Sequence, residues 1–509
     1  MIKRQLFKGG VLSLISGVAL WLPFHNSQFF FLAWVALIPF LFFLVSKPTW
    51  KITLLGHVLM TSVYLGGVLY WIPQVLVLYG NLGWLMALAA FGVMLMVLSL
   101  FLLPFTLLIR WTAGKSVVLA LGCAPGFWLL TELCRNFFLL NGFPWALLGY
   151  SQYPYLWIIQ IADISGVYLI SVLLVGANSA FVGALRLKSF KPLVVFAVPF
   201  LMANLYGVYR VNWWQTEAGP TLRVALVQPN IELSREREHY AMKYYEALPE
   251  YYRRAVEAGA EWVIFPEAPN PFLYQEDFYF RTFWERQVTA QGAYLLFNTT
   301  WVDRDPSLRY FNSALLLSPT GQEAYRYHKS HLVPFGEYVP FQDWLGVLFG
   351  PLVQEVAGFS PGEEFQLGNI NNSRFATLIC YESIFPELSR RLVRQGAQMF
   401  VNITNDSWFG RSTAPRQHLE MALFRAIETR KPFLRGANSG YSAVIDHLGR
   451  SSQEMGLFEE GIMMTQIAGN TYRSLYSYIG EWINIMVVAG TAVLAVAGGG
   501  RKSVKKKGR

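Results

Sequence analysis

The chain has 509 residues, of which 54% are hydrophobic and only 15% charged, and its net charge is +10. Ordinary soluble domains carry about a quarter charged residues, so this composition excludes a simple water-soluble protein and points to a membrane. The distribution is more telling than the average: before Val211 the only acidic residues are Glu132 and Asp163, and long apolar runs follow one another with short breaks.

A helix needs about 20 residues to cross a hydrocarbon core. The pattern predicts spans over 6–24, 29–45, 54–72, 84–109, 116–131, 158–185 and 192–209, then an eighth over 482–498. Pro125 interrupts the fifth, and Glu132 follows it closely. The first is expected to be retained, because Phe24-His25-Asn26-Ser27 lacks a small-x-small cleavage site and another span follows at once. An even number of spans puts both termini on one side.

The basic residues say which side. Lys3, Arg4 and Lys8 precede the first span; Lys47 and Lys51, then Arg110 and Lys115, then Arg186, Lys188 and Lys191 occupy alternate breaks; six more lie between Arg501 and Arg509. No acidic residue stands among them, so the positive-inside rule predicts that both termini and these breaks are cytoplasmic and that residues 210–476 face the other side. From Arg210 up to the basic tail, 25 basic residues meet 30 acidic ones, a net charge near −5. The positive balance therefore reads as a belt against inner-leaflet headgroups, and nucleic acid is not an expected partner.

Three segments are expected: a membrane domain at 1–209 with about seven helices, a water-facing domain at 210–476, and a last span with its basic tail at 477–509. In the middle segment short β-like runs alternate with helical stretches. Strands are predicted at 223–228, 261–265, 294–298, 313–317, 375–379, 399–403 and 441–445, and helices at 239–260, 385–395 and 418–429, with Pro249 bending or dividing the first of these. Strands this rich in Val, Ile, Leu and Phe belong to sheets buried on both faces of an α/β domain. Glu267, Cys380 and Asn405-Asp406 follow the C-terminal ends of three such strands, where α/β sheets carry their sites.

Cys123 and Cys134 lie in or beside the fifth span, which leaves Cys380 alone in the exposed segment, without a partner for an internal disulfide. A lone cysteine is either a buried small hydrophobe or a nucleophile. Its setting, Thr377-Leu378-Ile379-Cys380-Tyr381-Glu382-Ser383, runs from a strand into polar residues and an expected helix start, whose amides would stabilise a thiolate. A nucleophilic thiol needs a base, and Glu267 in Phe265-Pro266-Glu267-Ala268-Pro269 is the leading choice against a solvated loop carboxylate. Lys329 is the matching cation, against an ordinary surface lysine, and His328 and His331 beside it remain rival bases.

In this order the motifs resemble the apolipoprotein N-acyltransferase family. The likeness rests on Phe265-Pro266-Glu267, the Lys329 loop running into Pro334-Phe335-Gly336-Glu337, Cys380-Tyr381-Glu382, Asn405-Asp406-Ser407-Trp408-Phe409-Gly410 and Asn438-Ser439-Gly440, and it covers essentially the whole chain. It implies an eight-span helical bundle joined to a nitrilase-like αββα sandwich. It also implies a triad of Glu267 as base, Lys329 as stabiliser of the tetrahedral intermediate and Cys380 as nucleophile. Glu337 would orient the lysine, Glu382 would act beside the nucleophile, Tyr381 would serve through its backbone amide, and Asn312 would support the active-site loops. Trp145, in Asn141-Gly142-Phe143-Pro144-Trp145, is expected near the active-site entrance, or else as an interfacial anchor. Trp408 and Phe409 are expected to line an acyl path rather than a core.

The activity so implied moves an acyl chain from a phospholipid, with phosphatidylethanolamine the expected donor, through a Cys380 thioester to the α-amine of a diacylglyceryl-modified lipoprotein. The expected setting is a bacterial inner membrane with the catalytic domain in the periplasm, acting as a monomer and needing no metal or cofactor. The family's tryptophan after the Val-Gln-x-Asn-Ile element is missing: Gln228-Pro229-Asn230-Ile231 runs on to Glu232-Leu233-Ser234-Arg235-Glu236-Arg237, so any lipid-binding role of that side chain does not carry over. Two alternatives remain, a membrane-tethered amidase or nitrilase acting on a small carbon–nitrogen substrate, and a non-enzymatic lipoprotein-transport scaffold.

Overall fold

The computed structural model describes residues 2–138, 140–215, 217–233, 237–268, 270–305, 307–340 and 358–498. The basic tail at 501–509 and the stretch 234–236, where the family tryptophan is missing, lie outside the described residues. The chain divides into two compact units, one of residues 1–73, 84–213 and 479–509, the other of residues 74–83 and 214–478.

The first unit is helical. Seven of its segments are long and apolar enough to cross a membrane: Gln5–His25, Ser27–Leu44, Trp50–Val68, Trp84–Lys115, Val117–Phe138, Tyr168–Leu187 and Lys191–Asn212. This is a multi-span membrane protein. The predicted eighth span is an apolar helix of only 16 residues, Trp482–Ala497. The fifth runs through Pro125 and carries Glu132 inside it, because neighbouring helices cover that stretch. The sixth is shorter than predicted: two single-turn helices, Leu156–Ile159 and Ala162–Ser165, precede Tyr168–Leu187, with Gly166 at φ 72° ending the second.

Surface chemistry fits lipid. Lys191–Asn212 turns Val194, Val195, Val198, Leu201, Met202 and Leu205 outward. Polar groups are instead paired inside, as a hydrocarbon surrounding demands: His57 Nδ1 lies 2.9 Å from Thr106 Oγ1, and Arg210 reaches Asp163 at 2.8 Å. Close helix approach depends on small residues; a Cβ on Gly67 would sit 2.4 Å from the Trp21 ring.

The second unit is an αββα sandwich. Among the described residues twelve strands run β1 (Ala218–Gln228), β2 (Trp262–Ile264), β3 (Tyr294–Asp303), β4 (Arg309–Leu317), β5 (Glu323–His328), β6 (Gly368–Ile370), β7 (Ser373–Ile379), β8 (Met399–Thr404), β9 (Phe433–Ala437), β10 (Ser442–Ile445), β11 (Ser451–Met455) and β12 (Gly461–Asn470). They form two six-stranded sheets, ordered β12-β1-β2-β3-β4-β5 and β11-β10-β9-β8-β7-β6. In each, three adjacent strands are parallel: β1, β2 and β3 in one, β7, β8 and β9 in the other.

The inner faces meet in one core containing Val224, Leu226, Trp262 and Ile264 from the first sheet and Phe375, Ile379, Val401 and Ile403 from the second, with Cys380 at its margin. The outer face of the first sheet is covered by Leu248–Glu257 and Phe278–Gln291 through Tyr252, Phe280 and Trp284. Outside the second sheet lie Pro386–Gln395 and Ala414–Thr429, the latter buried at every residue except Arg416.

All seven predicted strands are present, but five more complete the sheets. Glu323–His328 and Ser451–Met455 carry too many polar residues to read as buried strands, and Gly368–Ile370 is too short to show a pattern. The long helix predicted at 239–260 is divided by a π-helical turn at Lys243–Ala247, and Pro249 falls in the first turn of Leu248–Glu257, where its missing N–H costs nothing.

Candidate active site

Parallel strands deliver their C-terminal ends to one edge, and the chemistry collects there. β2 ends three residues before Glu267, β7 ends immediately before Cys380, β8 ends at Thr404 ahead of Asn405 and Asp406, and β5 ends immediately before Lys329. Asn312 lies within β4, two residues along from the pairing of Ala314 with Tyr327, and its carbonyl receives the Lys329 N–H at 2.8 Å.

These residues form one hydrogen-bonded group. Lys329, 1% exposed, donates from Nζ to Glu337 Oε1 at 2.8 Å and lies 3.7 Å from Glu267 Oε1. The Asn312 amide gives one N–H to Glu267 Oε1 at 2.8 Å and the other to Glu337 Oε1 at 2.9 Å. Glu337 Oε2 accepts from the Val333 amide at 2.8 Å, which folds the loop back on itself. Glu267 Oε2 accepts from the Asn405 amide at 3.2 Å, and the charge of the same carboxylate acts on the Cys380 thiol.

Burial and charge act together here. Burial raises the Glu267 carboxyl, Lys329 pulls it down and Glu337 pushes it up; the balance is above the usual carboxylate range. Burial alone would lower Lys329, but Glu337, Glu267 and Cys380 outweigh it, so the ammonium is held charged. Burial and the Glu267 charge push the Cys380 thiol up, while Lys329 pulls it down.

The helix start expected at Cys380 is a 3-10 helix, Cys380–Ile384, with Ile379 in the capping position, and the α-helix begins at Pro386. Cys380 itself has φ 51°, the left-handed region that a non-glycine residue enters only when its surroundings hold it there. The turn lifts the side chain clear of the strand. Tyr381 follows in the turn, its ring edge-on to Phe385 at 5.0 Å.

Glu382 anchors this turn. It is fully buried, and its Oε1 accepts from Tyr327 Oη–H at 2.7 Å, Ser330 N–H at 2.7 Å, Ser330 Oγ–H at 2.8 Å and His331 N–H at 3.1 Å, while Oε2 accepts from Ile379 N–H at 2.8 Å. One carboxylate thus ties the amides after Lys329 to the amide before Cys380.

The rival histidines are otherwise engaged. His328 pairs with Ser313 Oγ at 2.7 Å and packs on Phe311, and burial lowers it to about 4. His331 stacks against Phe385 at 4.5 Å and is likewise lowered by burial. Trp408 is 42% exposed, with Tyr79 edge-on at 4.7 Å, and Phe409 sits 6.3 Å from the His418 ring. Trp145 belongs to the helical unit, where it is 3% exposed against Trp71. Among the described residues no three His, Cys, Asp or Glu side chains converge as metal ligands would.

Sequence reasoning missed Asn298, whose Nδ2–H donates to Asn312 Oδ1 at 2.8 Å and thereby turns the Asn312 amide nitrogen toward both carboxylates. It also missed Ser330 and Tyr327 as donors to Glu382. No spacing links these residues; pairing of β3 with β4 brings Asn298 to Asn312, and Tyr327 and Ser330 reach Glu382 from the other sheet.

Comparison with known proteins agrees with this architecture. Residues 223–476 match the carbon-nitrogen hydrolase family, and residues 16–180 match the apolipoprotein N-acyltransferase N-terminal domain. An apolipoprotein N-acyltransferase of Geobacter metallireducens is 36% identical, covering 97% of this chain and 96% of its own, and one of Vibrio cholerae is 33% identical over 72% of this chain and 74% of its own. Among solved structures, an amidase from Nesterenkonia sp. aligns at 19% identity with a TM-score of 0.38, over 51% of this chain and 94% of the amidase. With both halves matched in order and a relative aligned along almost its full length, the chain belongs to the apolipoprotein N-acyltransferase family.

Proposed function

We propose that this protein transfers a fatty acyl chain from a phospholipid to the α-amine of a diacylglyceryl-modified N-terminal cysteine, in two half-reactions at Cys380. The observation that carries the reading is the buried group in which Asn312 and Lys329 hold the Glu267 and Glu337 carboxylates, with Lys329 3.7 Å from Glu267 and the charges of Glu267 and Lys329 both acting on the Cys380 thiol. In the first half-reaction Glu267 takes the thiol proton while the sulfur attacks the sn-1 ester carbonyl. Lys329 and the turn amides, that of Tyr381 among them, stabilise the tetrahedral oxyanion. The C–O bond breaks, the departing glycerol oxygen takes the proton from Glu267, and lysophospholipid leaves a Cys380 thioester.

The lipoprotein amine then attacks the thioester, Glu267 removes its proton, and the C–S bond breaks to give an amide and the regenerated thiol. A reference α-amine has a pKa near 8, so much of it is protonated at neutral pH and the base has a task in this step too. Glu337 and Asn312 hold Lys329 and Glu267 in register. Trp408 and Phe409 contribute apolar surface for an acyl chain. Phosphatidylethanolamine is the proposed donor.

A membrane location suits both substrates, since moving an acyl chain into water costs about 0.8 kcal/mol per CH₂. The basic breaks support an inner-membrane orientation with 210–476 in the periplasm, 1–209 and 477–509 as the membrane-associated parts, and both termini in the cytoplasm.

The test is to incubate the purified protein with a defined phospholipid and no acceptor, then map acyl adducts by peptide mass spectrometry. An adduct on Cys380 that hydroxylamine removes, and that a diacylglyceryl-cysteine peptide discharges by becoming N-acylated, establishes both half-reactions. No adduct across several donors, from folded protein, overturns the acyl-enzyme scheme and shifts the reading to a small-substrate amidase.

A further inference from the structure

Asn438 follows β9 directly, and the triad chemistry gives it no task. It is fully buried, and a buried asparagine has two amide N–H groups and a carbonyl oxygen to satisfy besides its own backbone. All of them are used. On the backbone, Asn438 N–H donates to the Thr404 carbonyl at 2.9 Å, and the Asn438 carbonyl accepts from Asn230 N–H at 3.0 Å. On the side chain, Oδ1 accepts from Ile231 N–H at 2.8 Å, and Nδ2–H donates to the Ile231 carbonyl at 2.7 Å. The second amide N–H is shared between Asn405 Oδ1 and Ser407 Oγ, each 3.3 Å from Nδ2. One side chain thus exchanges two hydrogen bonds with Ile231, as a neighbouring strand would, and reaches the Asn405 turn as well.

That turn touches the base. Pairing of β8 with β9 sets Thr404 opposite Ala437, which delivers the next amide, that of Asn438, to the Thr404 carbonyl. The Thr404 C=O and the Asn405 N–H belong to one planar trans peptide and point in opposite directions. With the carbonyl held by Asn438, the Asn405 N–H faces Glu267 Oε2, to which it donates at 3.2 Å. The Asn405 side chain pins the same turn: its Oδ1 accepts from Ser407 N–H at 3.1 Å and from Ser407 Oγ–H at 2.6 Å as well as from Asn438. Asn312 serves Oε1 of the carboxylate and Asn405 serves Oε2, so the base is gripped from the first sheet and from the second.

We infer that Asn438 is a positioning residue for the general base, holding the Thr404–Asn405 peptide so that the Asn405 N–H stays on Glu267 Oε2, and tying that peptide to the Ile231 segment beyond β1. The inference rests on the reading of Glu267 as the base that serves Cys380. A donor to the ionised carboxylate favours the form able to accept a proton, so loosening that donor makes the base harder to keep ionised. The titratable groups acting on Glu267 are Lys329, Glu337 and Cys380, and a substitution at 438 alters none of them. Asp406, next after Asn405, is engaged by Arg435 at 2.7 Å and lies 2.9 Å from His418 Nδ1.

The experiment follows acyl-adduct formation on Cys380 in the full-length protein, in detergent with a defined phospholipid, by stopped-quench mass spectrometry across pH. Asn438→Ala should slow acylation at neutral pH roughly threefold to tenfold and move the acid limb upward by about 0.5 to 1 pH unit, the share of one loosened hydrogen bond to a charged acceptor. A residue that only supports the fold would lower the melting temperature and leave the limb in place. Asn438→Ala with the parental limb therefore overturns the inference, whatever its melting temperature. If that variant does not fold, Asn405→Ala takes its place: it keeps the pairing of Asn438 with Ile231 and removes the side-chain grip on the same turn, so the limb must again move upward, and a parental limb overturns the inference. The parent separates the two readings. An adduct on Cys380 in the parent with unmoved limbs in the variants removes Asn438 alone, whereas no adduct on the parent removes the acyl-enzyme scheme and this inference with it.

Discussion

Glu267 and Glu382 both bear on the Cys380 turn, yet their surroundings differ. Glu267 is partly open, shares Lys329 and Asn312 with Glu337, and its charge acts on the Cys380 thiol. Glu382 is closed off and takes five hydrogen bonds from backbone and hydroxyl donors, with no basic side chain among them. A carboxylate held by five fixed donors works as a clamp, whereas one that shares a lysine with a second carboxylate beside a thiol is placed to exchange a proton. Two glutamates close in space thus suit opposite tasks, and the difference lies in what donates to them.

The comparison breaks first at Glu267. Glu267→Gln should keep the fold but slow acyl-adduct formation by about 10²- to 10⁴-fold, the usual share of a general base. Cys380→Ala should abolish the adduct. Stopped-quench mass spectrometry of the acyl-enzyme measures both. If Glu267→Gln acylates at the parental rate, the base lies elsewhere.

Lys329→Met should cost about 10²- to 10³-fold, since it removes a charge from the oxyanion and leaves Glu267 facing Glu337 alone. The pH profile sharpens this. The base works only when ionised, and burial already raises Glu267, so parental activity should fall on the acid side at a higher pH than an ordinary glutamate would give. Losing the lysine removes the influence that lowers Glu267, so the acid limb should move to still higher pH. A limb that stays in place or moves down excludes Glu267 as the titrating group.

Glu382→Gln should behave differently in kind. An amide places N–H groups among donors, so stability should fall by about 3 kcal/mol, read as a melting temperature lower by several degrees, with a smaller loss of acylation and no shift in the acid limb. A stable variant with a shifted limb would make Glu382 a titrating group and erase the contrast. The smallest effect is expected at Asn298→Ala, which frees the Asn312 amide to rotate; about a fivefold loss of acylation corresponds to one hydrogen bond of about 1 kcal/mol.

Much of this was legible in the chain itself. Hydropathy and the absence of acids placed the spans, since a hydrocarbon solvent leaves no alternative to apolar helices. Apolar runs located the central strands, and the strand ends placed Glu267, Cys380 and Asp406 at one edge. The edge strand Glu323–His328 was not legible: its alternating Glu323, Arg326 and His328 read as loop, because only one face is buried. Nor was the turn at Cys380, whose positive φ is imposed by surrounding bonds and has no local signature in a non-glycine residue.

The sequence by itself determined that this is a multi-span membrane protein carrying an α/β domain, and its motif order named the family, because apolar length and residue order are properties of the chain alone. Only the tertiary structure decided which polar residues meet. Asn298 with Asn312, Glu382 with Ser330 and Asp406 with Arg435 and His418 are joined by strand pairing, turn geometry and burial, and hydrogen bonds of that kind depend on distance in space rather than on separation along the chain.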